Sequence, residues 1–212
     1  MKRLAIIGAG TLGQQIAQHV TQSGTYQVAG FFDDFAATGK LTPNGSVLGP
    51  AVAARGAFEQ GRFDEVLLGI GYNHMSTRQR LYENLAAHLP FGKFIHPAAY
   101  VDPSAKVEAG TFISPGCVLD LNVTLSPNVF LYSGCIVAHD AYIGSHTFLA
   151  PGVRMAGHVR VGARCFLGIG TTIIDHCNLG PDVRTGGGTV VTHDLCAAGT
   201  YVGVPARRLP GP

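Results

Sequence analysis

The sequence lacks an excess of either charge. Its 15 Lys and Arg stand against 13 Asp and Glu, for a net +2, which leaves no electrostatic footprint for nucleic acid. It also lacks any apolar run of the roughly 18 residues that a bilayer-crossing helix requires, so membrane insertion is not expected. The opening stretch MKRLAIIGAG reads as a strand entering a glycine turn, not as a signal peptide. Finally, it lacks an even set of cysteines. Cys117, Cys135, Cys165, Cys177 and Cys196 make five, and an odd count without a secretion signal argues for reduced thiols in a cytoplasmic protein.

What is present is a repeat. From Val101 to Val191 an apolar residue returns every sixth position, through Val107, Ile113, Leu119 and so on to Leu179, with one miss at Thr185. A second series four residues on is small or β-branched, running Ala105, Thr111, Cys117, Val123 and onward to Thr189. Neither a helical nor a strand period holds such a register for so long, and hexad self-similarity is the mark of a parallel β-helix. Three short strands make one triangular coil, so three hexads close a circuit and coils stack at roughly 4.8 Å. The first residue of each hexad points inward and the fifth fills a cramped corner, where four of the cysteines serve as small hydrophobes. Gly144, Gly162, Gly168, Gly180 and Gly186 follow inward residues, at places where a tight turn is expected. The 29 Gly and 12 Pro are therefore patterned and do not mark disorder.

Ahead of the repeat lies a different composition. Lys2 to Ile7 reads as a buried strand, followed by Gly8-Ala9-Gly10-Thr11-Leu12-Gly13, a helix over Gln14 to Thr21, and a second strand from Tyr26 to Phe32 that ends at Asp33-Asp34. Strand, GxGxxG turn, helix, strand and acid is the order of a nucleotide site: glycines admit a phosphate and the helix start supplies free N–H groups. A turn that needs glycine only for packing is the alternative. Residues 36–61 read as loop with a short helix near Val52 to Glu59; a third strand follows at Glu65 to Ile70 and a helix from about Ser76 to His88. The expected fold is α/β + β, with a small Rossmann-like domain over 1–95 and a β-helix with a C-terminal extended tail over 96–212. About four parallel strands suffice for one nucleotide and fall short of a whole dinucleotide site.

A β-helix is a scaffold, so chemistry has to come from its corners. His139 lies two places after inward Val137 and projects outward, with Asp140 directly after it. An imidazole beside a carboxylate is a reasonable general base; a solvated surface histidine is the competing reading. Zinc hydratases built on such a prism use histidines five apart, a spacing absent among His139, His146, His158, His176 and His193, so no metal is expected. His146, His158 and His176 fall at the fourth place of a hexad and read as solvated.

A small α/β domain joined through Ile95-His96-Pro97 to hexad coils resembles the bacterial sugar acyltransferases, the PglD-like N-acetyltransferases and the NeuD-like O-acetyltransferases. The matching pieces are the glycine turn, Phe32-Asp33-Asp34, Gly69-Ile70-Gly71-Tyr72-Asn73, His139-Asp140, Gly186-Gly187-Gly188 and Gly203-Val204-Pro205-Ala206-Arg207. The resemblance implies left-handed coils, a homotrimer, and acetyl-CoA bound in the groove between two prisms. It implies that Gly10, Thr11, Leu12, Asp33, Asp34 and Gly71 face a nucleotide-linked sugar and that Ile169 and Gly187 line the acetyl-CoA path; by charge and location alone, Arg207 and Arg208 are expected to meet CoA phosphates. His139 would then take the proton of the attacking acceptor, Asp140 would sustain its basicity, and a backbone N–H would hold the oxyanion.

Three positions depart from the family pattern: Thr11 stands in the glycine turn where Gly or a Ser-Gly-His type of turn is common, and two lie near the base. Tyr132 stands seven residues before the base, where an acceptor-binding Asn is common, and Phe148 stands nine after it, where a second His is common. The resulting expectation is an acetyl-CoA-dependent transfer to the amino group of a nucleotide-linked amino sugar in surface-glycan synthesis. The alternatives are an O-acetyltransferase on a sugar or sialic acid, a non-catalytic nucleotide-sugar binder, and an NAD oxidoreductase, the last disfavoured because no second catalytic domain follows the turn.

Overall fold

The structure is a computed structural model and describes residues 1–210. The chain divides into two compact units, Met1–Phe94 and a second that begins at Ile95.

In the first unit β1 (Lys2–Ile7), β2 (Tyr26–Phe32), β4 (Gly45–Gly49) and β5 (Glu65–Leu68) are parallel, and β3 (Leu41–Thr42) joins antiparallel at the edge, in the order β3-β4-β2-β1-β5. Helices α1 (Thr11–Gln22), α2 (Ala54–Glu59) and α3 (Met75–Ala86) complete it. The α1 residues Leu12, Ile16, Ala17 and Val20 recur at helical spacing and are buried, which is why this stretch forms a helix on the sheet. Residues 36–61 depart from the expected loop. They hold the β3–β4 hairpin, turned at Pro43-Asn44, where Thr42 Oγ1 donates to the Gly45 carbonyl at 2.6 Å.

The second unit is the expected parallel β-helix. One face stacks Tyr100–Val101, Val118–Leu119, Ile136–Val137, Arg154–Met155, Thr172–Ile173 and Val190–Val191; the next stacks Lys106–Val107, Thr124–Leu125, Tyr142–Ile143, Arg160–Val161 and Asn178–Leu179. Each strand pairs with the one a circuit later, as Leu119 does with Val137 and Val137 with Met155. Inward residues and corner residues form one continuous core. Thr185, the miss in the series, still points inward and is buried, satisfied by Thr171 Oγ1 at 2.7 Å and by the N–H of Gly168 at 2.9 Å. All five cysteines are free thiols, four of them buried.

Two expectations about the coils are corrected. The turning residue is the fourth of each hexad, not the second. There φ lies between 57° and 64° in Asn122, Asn128, Asp140, His146, His158, Arg164, His176 and Asp182, while Gly fills the equivalent places 110, 116, 134, 152, 170 and 188. None of these is β-branched, as a left-handed backbone demands. Gly144 and Gly162 are needed for coil spacing: a Cβ on Gly144 would stand 2.6 Å from backbone atoms of Gly162 and Ala163, and one on Gly162 would stand 2.6 Å from the Pro181 nitrogen. The C-terminal stretch is also no free tail. Gly199–Val202 pairs parallel with Val183–Thr185, Arg207–Arg208 returns antiparallel to it, and Ala206 enters the core.

Candidate active site

The turn after Val137 places His139 and Asp140 at the corner between the two faces described above. Positive φ at Asp140 swings its carboxylate back along the turn, and Asp140 Oδ2 lies 2.9 Å from His139 Nδ1. Asn122, one circuit earlier in the same column, donates from Nδ2 to Asp140 Oδ1 at 3.1 Å. The bond to His139, and after it the bond to Asn122, holds the Asp140 carboxyl below the usual carboxylate range. An ionised carboxylate only accepts, so Nδ1 carries the proton, and in the neutral imidazole the lone pair is on Nε2. Both side chains are open to solvent, His139 at 48% and Asp140 at 39%. The pair is thus a half-exposed imidazole with a fixed tautomer, suited to taking a proton from an incoming nucleophile.

The same corner gathers more histidines than sequence spacing foretold. His158 meets the His139 ring edge-on at 5.1 Å, and His176 stacks on His158 at 4.7 Å. The ligand-capable atoms of His139, Asp140 and His158 lie within 4.8 Å of one another. His146 is corrected outright. It is not solvated but 7% exposed, with Nδ1 2.9 Å from Asn128 Nδ2.

Open grooves of about 350 Å³ lie on either side of this corner, one lined by Arg154, Ala156, Ile174 and Asp175 and the other by Tyr142, Arg160, Asn178 and Cys196. Of these residues the sequence expectations include only Cys196, and that only as a thiol. Ile169 and Gly187 occupy a different edge of the prism, in the turns before Thr172–Ile173 and Val190–Val191, and Ile169 is 64% exposed. One chain therefore does not bring them to His139. Arg207 is exposed, whereas Arg208 spends its Nη2 on the Ala198 carbonyl at 2.7 Å. Tyr132 is half-buried with its ring edge-on to Phe130 and Phe148, and Phe148 is buried in a ladder of phenyl rings with Phe130 and Phe166.

In the first unit the glycine turn divides its duties. Gly8 has φ +104°, and a Cβ on Gly13 would fall 1.9 Å from the Gly8 carbonyl oxygen, so these two glycines let the turn fold onto α1. Gly10 begins α1 with nothing within 4 Å of its Cβ position, and Gly71 is likewise open. Gly10 lines a cavity of about 290 Å³ with Ala9, Asp33, Phe35, Lys40 and Thr42. Thr11 is exposed at the helix start, but Leu12 is buried, so its side chain serves packing. The two acids are committed to backbone. Asp33 accepts from the N–H of Ala9 at 2.7 Å and of Phe35 at 2.8 Å, and Asp34 from that of Ala51 at 2.8 Å. Asp33 thereby ties the glycine turn to the loop that carries Phe35, which is wholly exposed, and Lys40. An aromatic and a cation at the mouth of a glycine-turn cavity suit a base and a phosphate.

Comparison with known proteins agrees with this layout. Residues 3–85 match the PglD N-terminal domain. No curated protein matches the chain in sequence. Among solved structures, PerB from Caulobacter crescentus, in complex with CoA and GDP-perosamine, is 28% identical with a TM-score of 0.91 over 99% of this chain and 98% of that one. The acetyltransferase domain of PglB from Neisseria gonorrhoeae, also solved with acetyl coenzyme A, is 27% identical with a TM-score of 0.90 over 99% of this chain and 100% of that one. WeeI from Acinetobacter baumannii, 22% identical with a TM-score of 0.84 over 99% and 100%, shares the fold. Over its whole length, with a PglD-type domain ahead of a hexapeptide-repeat β-helix, the chain resembles these sugar acetyltransferases.

Proposed function

We propose that this acyltransferase moves the acetyl group of acetyl-CoA onto the amino group of a nucleotide-linked amino sugar, with His139 as general base. The observation that carries the reading is the 2.9 Å bond between His139 Nδ1 and Asp140, which leaves Nε2 as the free basic nitrogen on an exposed corner. The acceptor nitrogen attacks the thioester carbonyl, Nε2 takes the proton, and the C–S bond breaks to release CoA. No covalent enzyme intermediate is needed, and alignment of both substrates supplies much of the rate. The full-length likeness to PerB, solved with CoA and GDP-perosamine, supports both substrate classes. The acceptor's nucleotide would occupy the Gly10 cavity, with Phe35 and Lys40 at its mouth.

The active form in this reading is a homotrimer. Its support is that Ile169 and Gly187, the donor-side residues, sit on another edge of the prism from His139, so a complete site takes two chains. Turnover of acetyl-CoA with a panel of GDP-, UDP- and dTDP-linked amino sugars tests the proposal. His139→Ala should lose about 100-fold or more in kcat, within the roughly 10²–10⁴ that a positioned base supplies, with folding intact by circular dichroism. Near-normal turnover in that variant removes His139 from the chemistry.

A further inference from the structure

We infer that Gly157 is a positioning residue for the catalytic imidazole: it is the bare floor on which the His139 ring lies. This rests on the reading of His139 as the base, and it begins with the repeat. Gly157 stands one circuit after His139 at the same place of its hexad, so the two are stacked neighbours on one corner, and the N–H of His158 donates to the His139 carbonyl at 3.0 Å. A Cβ built on Gly157 would lie 2.6 Å from His139 Cε1, 2.7 Å from Nε2 and 3.2 Å from Nδ1. All three of its nearest neighbours belong to this one ring.

The backbone does not ask for glycine there. The left-handed residue of this turn is His158, with φ 59°, and Gly157 itself has no positive φ. The equivalent place in other hexads holds Ala109, Pro115, Pro127, Ser133, Ala163 and Pro181, so the turn accepts a Cβ. What glycine provides at 157 is room. With Asp140 fixing Nδ1, His158 packed edge-on at 5.1 Å and no side chain beneath, the ring is held on three sides.

A methyl group on this floor pushes the imidazole outward by about an ångström to restore ordinary carbon contact distances near 3.5–4.0 Å. A displacement of that size costs on the order of 10²-fold when it moves a catalytic group. The test is Gly157→Ala, assayed with acetyl-CoA and the amino-sugar nucleotide turned over fastest in the panel. The expected result is a 10- to 100-fold drop in kcat, with KM for both substrates within about threefold and the melting temperature unchanged or slightly raised. In a His139→Ala background the same substitution should change the residual rate less than twofold, because its effect runs through the ring.

Wild-type kcat in Gly157→Ala with the His139 ring unmoved, or a loss that persists undiminished without His139, overturns the inference. A crystal structure of Gly157→Ala separates its failure from that of the functional reading. An unmoved His139 ring refutes the seat, whereas a displaced ring with unchanged turnover keeps the seat and refutes His139 as base.

Discussion

At the scale of single residues the site depends on which nitrogen of His139 holds the proton, and Asp140 decides it. Asp140→Asn keeps the shape but offers an amide that donates as readily as it accepts, so the proton is free to move to Nε2 and the proposed base is lost. An equivalent swap in serine proteases costs about 10⁴ in kcat. A loss of about 10²–10⁴ is expected here, with little change in KM, read by steady-state kinetics. The pH dependence has a definite sign. Because the folded-state carboxyl is held below its ordinary 3.8 by His139 and Asn122, its contribution is fully present above that value and is lost only as pH falls through the lower folded one. An NMR titration of the Asp140 carboxyl carbon should therefore show a midpoint below 3.8, and Asn122→Ala should raise it. His139 and Asp140 were legible from the sequence because the hexad count puts them on a corner. Their companions were not, although the same count contains them. His158 lies 19 positions from His139, so only stacking by circuits brings the two together; reading each histidine within its own hexad finds His158 exposed, as it is, but not its neighbour. Phe35 and Lys40 escaped for a different reason: they belong to a stretch without period, where exposure carries no sequence signal.

At the scale of elements, two glycines that look alike in the sequence have opposite meanings. Gly157 faces the end of a side chain, which can move; Gly162 faces backbone of the next coil, which cannot. A Cβ on Gly162 would stand 2.6 Å from the Pro181 nitrogen and 2.7 Å from the Gly180 carbonyl carbon. Gly162→Ala must pry apart strands whose spacing is set by hydrogen bonds such as Gly162 N–H to the Leu179 carbonyl at 2.8 Å. Overpacking of this kind costs about 1–3 kcal/mol, expected as a lower midpoint in urea denaturation, while Gly157→Ala should leave the midpoint in place. The coils were readable because every rung repeats the same demand. The β3–β4 hairpin was not, since β3 is two residues long and neither of its residues is buried. The pairing of Gly199–Val202 with Arg207–Arg208 was hidden likewise, because it extends a face after the hexad period has ended.

At the scale of the whole molecule, the second unit leaves large apolar side chains uncovered on the prism: Leu121 at 53%, Ile136 and Ile174 at 40%, Tyr142 at 37% and Ile169 at 64% exposed. Scattered single exposures need no account, but here Ile136 and Ile174 lie on the face that runs from the Ile169 edge to the His139 corner, with Leu121 on that corner and Tyr142 on the next face. Three prisms packed side by side would cover them and would bring the His139 corner of one chain to the Ile169 edge of the next. Light scattering coupled to size exclusion should then give three times the chain mass. Ile169→Glu places a charge where an apolar contact is required, and should both lower that mass and reduce turnover at least tenfold, since a buried unpaired carboxylate costs several kcal/mol. Mixing impaired His139→Ala chains with impaired Ile169→Glu chains discriminates further. If each site draws its base from one chain and its donor wall from another, mixed trimers regain wild-type pairings at some interfaces and activity returns in part. No recovery on mixing, with mixed trimers verified by mass, would mean that every chain carries a complete site of its own.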